Sequence, residues 1–227
     1  MTKKLIITFS VFTLIFASYG RDNADTFDYG VVINDVRWAT RNADVNRTFA
    51  PTPESSGAFF QWNRKKGWSA TDTEVEGWDS FLSEGKEWER TNDPCPAGWR
   101  VPTEEELRSL FHSTITFAGN WDDWDAWTDA DEDAYANYIS SRHWISNWQN
   151  TGVSGMLFGT APNQIFLPAA GWRYTAGTLL TAGASGNYWS STQNGSPIAW
   201  SLWFNSGISL VTNWNRAFGL SVRCVAE

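Results

Sequence analysis

The spacing of apolar residues predicts one helix near the middle of the chain. Thr103 is a good N-cap residue, and Glu106 follows it at the spacing of a capping box, in which each side chain bonds to the other residue's backbone. The next apolar positions recur at helical spacing and would form one buried stripe: Leu107, Leu110 and Phe111. We therefore expect a helix over about residues 103–112.

Short alternating runs predict strands on both sides of that helix. Residues 30–40 alternate enough to predict a strand, whereas residues 41–95 have no clean period and predict loops with short strands. Five further runs are separated by turn-forming residues and also predict strands: 156–167, 188–191, 199–204, 208–214 and 219–225. The C-terminal half is therefore predicted to be mostly strand and loop.

The N-terminus has the pattern of a secretory signal peptide. Lys3 and Lys4 precede an apolar stretch over residues 5–17, and small residues follow at Ser18 and Gly20. The stretch is shorter than the roughly 20 residues of a membrane span, and no later segment is long and apolar enough to cross a bilayer. We expect an exported protein at the cell surface or outside the cell, with an uncleaved anchor as the alternative. The expected divisions are 1–20 (signal peptide), 21–29 (flexible leader) and 30–227 (one domain).

Charge and cysteine content narrow the classes of function. The chain has 17 basic and 25 acidic residues, a net charge of −8, which disfavours nucleic acid as a partner because phosphates need basic patches. Cys95 and Cys224 are its two cysteines, too few for a zinc site. In an oxidising compartment they would form one long-range disulfide, and two unpaired thiols are the alternative.

Acidic residues are unevenly distributed, and this disfavours an enzyme. No Asp or Glu occurs from Ala134 to Ala226, so a pair of catalytic carboxylates would have to come from the N-terminal half. The two histidines, His112 and His143, are interpreted as surface or hydrogen-bonded residues. The sequence contains no nucleophile elbow, phosphate loop or dinucleotide-binding glycine motif. We therefore expect no catalytic residues and no cofactor.

An acidic run over residues 122–133 raises the question of calcium. Asp129, Asp131 and Asp133 have a spacing that can direct oxygens to one ion. Ala134 and Ser140 stand where an EF-hand loop requires Gly and Glu. We interpret the run as a solvated loop without a metal, and calcium binding remains the alternative.

Four spaced motifs resemble a known family. They are CPAGWRVPT followed by EEEL at 95–107, FLPAAGWR at 166–173, YWSSTQ at 188–193 and GLSVRCV at 219–225. In this order they resemble the Fibrobacter succinogenes major paralogous domain, common in surface proteins of gut Bacteroidetes. The segments 31–40 and 59–68 are similar to its opening. The resemblance covers about 30–227, with the acidic region about 119–140 as an insertion.

This resemblance carries expectations about fold. The family is similar to C-type lectin-like domains of the formylglycine-generating-enzyme branch. It implies an α+β fold with short antiparallel strands, one or two helices, long loops that form a binding face, and chain ends that pair. Cys95 and Cys224 fit the long disulfide of such folds. The enzyme branch uses paired reactive cysteines, which this chain lacks, so that activity is not expected.

The tail suggests where a ligand would bind. Residues 188–225 resemble the variable region of proteins diversified by retroelements, which are often surface adhesins and sometimes pilus-tip proteins. Because side chains alternate along 199–205, Trp203 is expected to point outward, and Trp214 lies in a polar stretch. The expected ligand face comprises Ser201, Trp203, Asn205, Asn213, Trp214, Asn215 and Phe218. The alternative is that both indoles cap the core.

The sequence favours binding over catalysis. Sixteen tryptophans exceed what core packing needs, and indoles among Ser, Gly and Asn are typical of binding loops and sugar sites. We expect a non-enzymatic, adhesin-like domain that binds a protein or glycan. The alternatives are a structural or accessory pilus subunit and, less favoured, an enzyme acting on polysaccharide. Three arginines are expected to organise loops: Arg100, Arg173 and Arg223.

Overall fold

A computed structural model describes residues 27–111 and 140–227 of the chain. Short strands account for most of the regular structure in these residues. In chain order they are β1 (Val31–Ile33), β2 (Val36–Trp38), β3 (Ala43–Asp44), β4 (Thr48–Phe49), β5 (Ala58–Gln61), β6 (Gly67–Ser69), β7 (Trp99–Arg100), β8 (Arg142–Ile145), β9 (Gly155–Thr160), β10 (Asn163–Pro168), β11 (Trp172–Arg173), β12 (Leu179–Leu180), β13 (Ser185–Gln193), β14 (Ile198–Asn205), β15 (Ser209–Asn215), β16 (Gly219–Leu220) and β17 (Val225–Ala226).

The expected α+β class is wrong, because the described residues form a β-rich fold. They contain one α-helix, α1 (Glu104–Ser109), and three short 3-10 helices. The 3-10 helices are Val45–Arg47, Arg90–Asn92 and Trp148–Asn150. Turn-forming residues interrupt the remaining segments too often for a helix, whereas a strand needs only a few residues and gains its hydrogen bonds from distant neighbours.

The start of α1 is the capping box that the sequence predicts. The Thr103 side chain accepts a hydrogen bond from the Glu106 backbone N–H (3.2 Å), and the Thr103 N–H donates to Oε2 of Glu106 (2.7 Å). Arg100 donates to both oxygens of the same carboxylate, at 2.8 and 2.6 Å. Leu107 is fully buried. The helix is shorter than expected, since it ends at Ser109.

The strands form five antiparallel sheets in the described residues. Their strand orders are β1-β2-β17-β7, β10-β9-β8, β12-β11-β16-β5-β6, β13-β14-β15 and β3-β4. The first of these sheets joins the two ends of the domain, because Val225 near the C-terminus pairs with Trp38. The pairing of the chain ends agrees with the expectation from the family resemblance.

Several predicted strands are divided by turns. Residues 30–40 form a hairpin instead of one strand, because Asn34 and Asp35 adopt positive φ angles of 47° and 65°, as a tight hairpin turn requires. The run 156–167 likewise becomes β9 and β10, and 219–225 is divided between β16 and β17. The runs 199–204 and 208–214 are confirmed as β14 and β15.

The β13-β14-β15 sheet separates two apolar clusters. Leu202 and Phe204 of β14 belong to the first cluster, together with Leu107 of α1. Ala199 of the same strand belongs to the second cluster. The sheet is therefore covered on both faces over part of its area.

The predicted disulfide is confirmed. Cys95 and Cys224 are bonded, with their Cα atoms 6.0 Å apart. Both residues are buried within the second cluster. The bond joins the loop before β7 to the segment before β17, and these two strands are themselves paired.

Several expectations lie outside the described residues. They concern the signal peptide 1–20, most of the leader 21–29, His112, and nearly all of the acidic insertion with its three spaced aspartates. Among the described residues, none of the helices has the length and apolar character needed to cross a membrane.

Candidate functional site

The predicted ligand residues lie on two opposite faces of one sheet. Side chains alternate along β14 and β15, and the register pairs Ala199 with Trp214 and Trp203 with Leu210. Trp203 and Trp214 therefore share one face. Asn213 pairs with Trp200, which contacts Arg108 of α1, so this asparagine lies on the helix-covered face. The seven residues do not form one continuous surface.

Three of the predicted polar residues have their side chains engaged in local structure. Ser201 is fully buried, and its hydroxyl donates to the Thr212 carbonyl at 3.5 Å. The Asn205 side chain accepts from the N–H groups of Gly207 (2.8 Å) and Ile208 (3.1 Å), which organises the β14–β15 turn.

Asn215 has the same function at the end of β15. Its side-chain oxygen accepts from the Ala217 N–H at 2.9 Å, and its carbonyl accepts from the Phe218 N–H at 2.9 Å. Both asparagines thus shape turns, which is a frequent use of this residue type.

Trp214 and Phe218 belong to a group of four aromatic side chains, which we call the aromatic platform. Its members are Trp172, Tyr174, Trp214 and Phe218. The Trp172 ring centroid lies 4.8 Å from that of Trp214, 4.9 Å from that of Phe218 and 5.9 Å from that of Tyr174. Tyr174 is 47% exposed, and the other three are partly exposed. The platform is therefore at once packed internally and open to solvent.

Alternation of side chains explains why Trp172 of β11 and Tyr174, the residue after this strand, both belong to the platform. Trp172 and Tyr174 lie on either side of Arg173, so both point away from the face that Arg173 takes. Arg173 pairs with Gly219 of β16, which follows Phe218 directly. A Cβ atom at Gly219 would lie 2.5 Å from the Trp78 ring, so only glycine permits this close approach.

The sequence prediction omitted Trp172 and Tyr174. Their alternation with a buried arginine is a signal that could have identified both as outward-facing. What the sequence does not show is the pairing of β11 with β16, which brings them beside Phe218.

Trp203 lies apart from the platform. It is partly exposed on the same face of the sheet as Trp214. Four residues separate it from Ala199, the partner of Trp214, which corresponds to about 13 Å along the strand. Trp203 is therefore a separate exposed ring and not the centre of the group.

The platform differs chemically from a small cleft that combines acids and bases. That cleft has a volume of about 250 Å³, and its lining includes Asp93, Arg100 and Ser191. Burial raises the pKa of Asp93, although its carboxylate accepts hydrogen bonds from the N–H groups of Cys95 (2.8 Å) and Val101 (3.2 Å). Through these hydrogen bonds, Asp93 positions the loop before β7.

A family model described as the Fibrobacter succinogenes major domain matches residues 31–226. The chain belongs to this family. The match confirms the resemblance seen in the four sequence motifs, whereas it does not extend to the C-type lectin-like branch. The chain matches no curated protein and no solved structure.

Two motifs of this Fibrobacter succinogenes major domain supply buried arginines. Arg173 ends the motif 166–173 and donates to three carbonyls, those of Ser69 (2.7 Å), Asp72 (2.6 Å) and Gly177. Arg223 lies in the motif 219–225 and is fully buried. Both arginines thus organise loops, as expected from the sequence.

Arg223, like Arg173, is fully inaccessible to solvent. It donates to Oδ1 of Asn42 (3.0 Å) and to the carbonyls of Ala39 (3.1 Å) and Phe166 (3.0 Å). Burial lowers its pKa to about 10. Burial also raises the pKa of the neighbouring Tyr188 hydroxyl to about 12. Arg223 therefore links the motif 219–225 to two other parts of the chain, the segment 39–42 and Phe166 of β10.

Arg216 completes a set that we call the arginine frame: Arg173, Arg216 and Arg223. Its guanidinium lies 4.1 Å from the Trp62 ring centroid and donates to the carbonyls of Ile198 (3.2 Å) and Gly85 (3.0 Å). Burial lowers the pKa values of Arg173 and Arg216 as well. The three frame arginines thus donate most of their hydrogen bonds to backbone carbonyls.

Proposed function

We propose that the protein is an exported, non-enzymatic domain of the cell surface that binds a ligand through the aromatic platform. The main support for this proposal is the group of four aromatic rings at the surface, Trp172, Tyr174, Trp214 and Phe218. Neighbouring ring centroids in this group lie 4.8 to 5.9 Å apart. An exposed apolar group of this kind marks an interaction site more often than a scattered surface residue does.

The platform suits a ligand that offers a flat or apolar face. Aromatic rings provide a large contact area at low entropic cost, because each has only two side-chain torsions to fix. Mutual packing of the four rings restricts those torsions before any ligand arrives. Sugar rings and aromatic side chains of proteins both present suitable faces, so glycans and proteins are the two ligand classes that the proposal includes.

The chain segments that supply the platform contain no acidic residue. All four platform residues lie in the stretch from Ala134 to Ala226, which has no Asp or Glu. Arg173 lies directly between two platform residues in sequence. A cationic ligand would therefore gain little from this part of the chain.

Export is supported by two independent features. The first is the signal-peptide pattern over residues 1–20. The second is the Cys95–Cys224 disulfide, since such bonds persist mainly in oxidising compartments.

Binding to a glycan array followed by calorimetry with the best glycan tests the proposal. Trp214→Ala and Trp172→Ala should each weaken binding by about tenfold or more, because they remove central contact area. Trp200→Ala is the matched control: it also removes a partly exposed indole, on the opposite face of β14.

The control should bind like the wild type. If both platform variants keep normal affinity while remaining folded by circular dichroism, the platform is not the binding site. If Trp200→Ala alone weakens binding, the ligand face is the one that α1 covers.

A further inference from the structure

A loop far from the platform motifs in sequence holds two large apolar side chains in solvent. Phe81 is 80% exposed and Leu82 is 43% exposed. We call residues 79–85 the apolar tip. A phenylalanine this exposed contributes little of the free energy that its burial would supply. A side chain displayed in this way calls for an explanation beyond the packing of its own domain.

The tip is held rigidly to the domain. The Arg64 guanidinium donates to Oδ2 of Asp79 (2.6 Å) and to the Phe81 carbonyl (3.1 Å), and Asp79 accepts from the Phe81 N–H (2.9 Å). Hydrogen bonds from the body of the domain reach five further points of the loop. They join Gln61 to the Asp79 carbonyl, Asn63 to the Glu84 carbonyl, the Ser83 hydroxyl to the Trp62 carbonyl, and Arg216 to the Ser83 and Gly85 carbonyls.

Rigidity and exposure together are typical of an interface anchor. A flexible loop would lose entropy on binding, whereas this backbone is already fixed before a partner arrives. Aromatic side chains are among the residue types that dominate binding energy in interfaces. The fixed backbone of the tip thus presents Phe81 and Leu82 in a conformation suited to insertion into a cavity of a partner.

The charge around the tip indicates what the rim of that cavity must carry. Residues 74–89 hold six acids, Glu74, Glu76, Asp79, Glu84, Glu87 and Glu89, against one base, Lys86. The pKa of Asp79 is lowered by the hydrogen bond from the Phe81 N–H and by the charges of Arg64 and Lys66. An apolar cavity with a cationic rim would complement this segment.

The chain itself has an open groove with a cationic lining. Its volume is about 890 Å³, and it is lined by Asn46, Arg47, Lys65, Lys66, Arg90 and Thr91. This volume lies within the roughly 300–1,000 Å³ of pockets that accept small molecules, so two side chains fit. Four of the lining residues are basic, and the aliphatic stems of such side chains can cover an inserted apolar group.

Part of the groove's charge is already balanced. Arg90 pairs with Glu227 and lies 4.0 Å from Asp93, so two acids offset part of the four positive charges. Arg47 donates to the Asp93 carbonyl at 3.0 Å, which fixes its guanidinium in place. Lys66 stands over the Trp68 ring at 3.7 Å. The remaining charge is positive, opposite in sign to that of the tip segment.

The groove and the tip are adjacent on one molecule. Arg64 bonds the tip, and the next two residues, Lys65 and Lys66, line the groove. Two copies related by a two-fold axis could therefore exchange this contact twice, tip to groove and groove to tip. Such a self-complementary arrangement is the commonest symmetry of soluble oligomers.

We propose that the protein forms a two-fold homodimer in which Phe81 and Leu82 of each copy insert into the groove formed by Arg47, Lys65, Lys66 and Arg90 of the other copy. The tip and the groove do not include any platform residue.

Sedimentation equilibrium of the purified protein over a range of concentrations tests the proposal. The wild type should show a monomer–dimer equilibrium, and the variant Phe81→Ser/Leu82→Ser should raise the dimer Kd by about 30-fold or more, the effect expected for loss of an interface hot spot. Phe27→Ser is the matched control, because Phe27 is another exposed phenylalanine, 65% accessible, outside the tip.

Charge-reversal variants distinguish this specific contact from non-specific hydrophobic association. Lys65→Glu/Lys66→Glu and Glu76→Lys/Glu84→Lys should each be monomeric alone, because like charges then face each other. An equimolar mixture of the two variants should form a heterodimer, since both contacts are again complementary. All substituted residues are exposed, so each variant should fold normally by circular dichroism.

Three outcomes would overturn the dimer. They are a wild type that stays monomeric at every concentration, a dimer that survives the Phe81→Ser/Leu82→Ser change, and a mixture of reversed variants that fails to associate. None of them bears on ligand binding at the platform, which is measured separately with the Trp172 and Trp214 variants.

Discussion

Two arginines of the frame lie in the same two stretches of chain as the aromatic platform, and these stretches reverse the usual distribution of residue types. In the first stretch Arg173 is fully buried while its neighbour Tyr174 is 47% exposed. In the second, Arg216 is buried between the partly exposed Trp214 and Phe218. Charge is therefore directed inward and aromatic area outward at both places.

This reversal separates the two functions of the region. A buried cation without a carboxylate is unfavourable unless backbone groups satisfy it, and irregular loops offer many carbonyls that need a donor. The frame arginines meet that need and leave the aromatic side chains free to face solvent. Stability should therefore depend on the frame, and ligand affinity on the platform.

Loss of the disulfide beside the frame should have the largest effect on stability. Cys224 follows Arg223 directly and closes a loop with Cys95, 129 positions earlier. The variant Cys95→Ala/Cys224→Ala should lose up to about 5 kcal/mol in the chain-entropy model. Chemical denaturation measures this loss. Mass spectrometry after alkylation without reductant provides the control, and two modified thiols in the native wild type would contradict the bond.

Removal of Arg223 tests the frame itself. Arg223→Leu would leave Oδ1 of Asn42 and the carbonyls of Ala39 and Phe166 without this donor, so we expect a loss of about 3–5 kcal/mol in the free energy of unfolding.

The matched control is Arg37→Leu, because Arg37 is an exposed arginine with one hydrogen bond to a carbonyl. It should change stability by less than about 1 kcal/mol. Equal effects of the two substitutions would show that the buried position of Arg223 contributes nothing to the free energy of unfolding.

The Tyr188 hydroxyl should make stability fall between about pH 10 and pH 12. Its pKa in the fold is about 12, above the ordinary value of 10.0, so the folded state holds this proton more tightly than the unfolded state. The stabilisation is complete below the unfolded pKa and is lost as pH rises through the folded one, on the order of 2–3 kcal/mol.

Arg223 has the opposite dependence, because its lowered pKa of about 10 means that the fold releases this proton first. The two groups offset each other in the wild type over this range. Tyr188→Phe removes the contribution that falls with pH, so the stability of this variant relative to the wild type should rise with pH. Denaturation at a series of alkaline pH values measures the difference, and parallel curves would contradict the assignment.

The smallest stability effect should come from the platform. Tyr174→Ala should change the free energy of unfolding by no more than about 0.5 kcal/mol, as for other exposed positions. Its neighbour Arg173→Ala should cost several times more, because three carbonyls lose their donor. Thermal melts of the two variants give the comparison, and a larger effect at Tyr174 would contradict the division between frame and platform.

Local patterns were sufficient to predict the elements whose causes lie close together in sequence. The capping box of Thr103 and Glu106 fixes the start of α1 within three residues. The disulfide followed from a count of two cysteines in an exported chain. Strands β14 and β15 followed from alternation, and the loop-organising function of Arg173 and Arg223 followed from their place beside Trp and Cys.

The remaining features depend on contacts between distant segments. The platform needs the pairing of Arg173 with Gly219, which local spacing does not indicate. The apolar tip needs donors from Gln61, Asn63 and Arg216. The α+β expectation was wrong for a similar reason, because short strands form only when they pair with strands elsewhere in the chain.

The carbonyl partners of the frame have a consequence for acid tolerance. Backbone carbonyls and the amide of Gln193, which accepts from Arg216 at 3.0 Å, do not titrate. Arginine stays protonated at any acidic pH. Acid that neutralises carboxylates would therefore break the Arg100–Glu106 pair at the start of α1 and leave the frame intact. We therefore expect the hydrogen bonds of the frame to depend less on acidic pH than the start of α1 does.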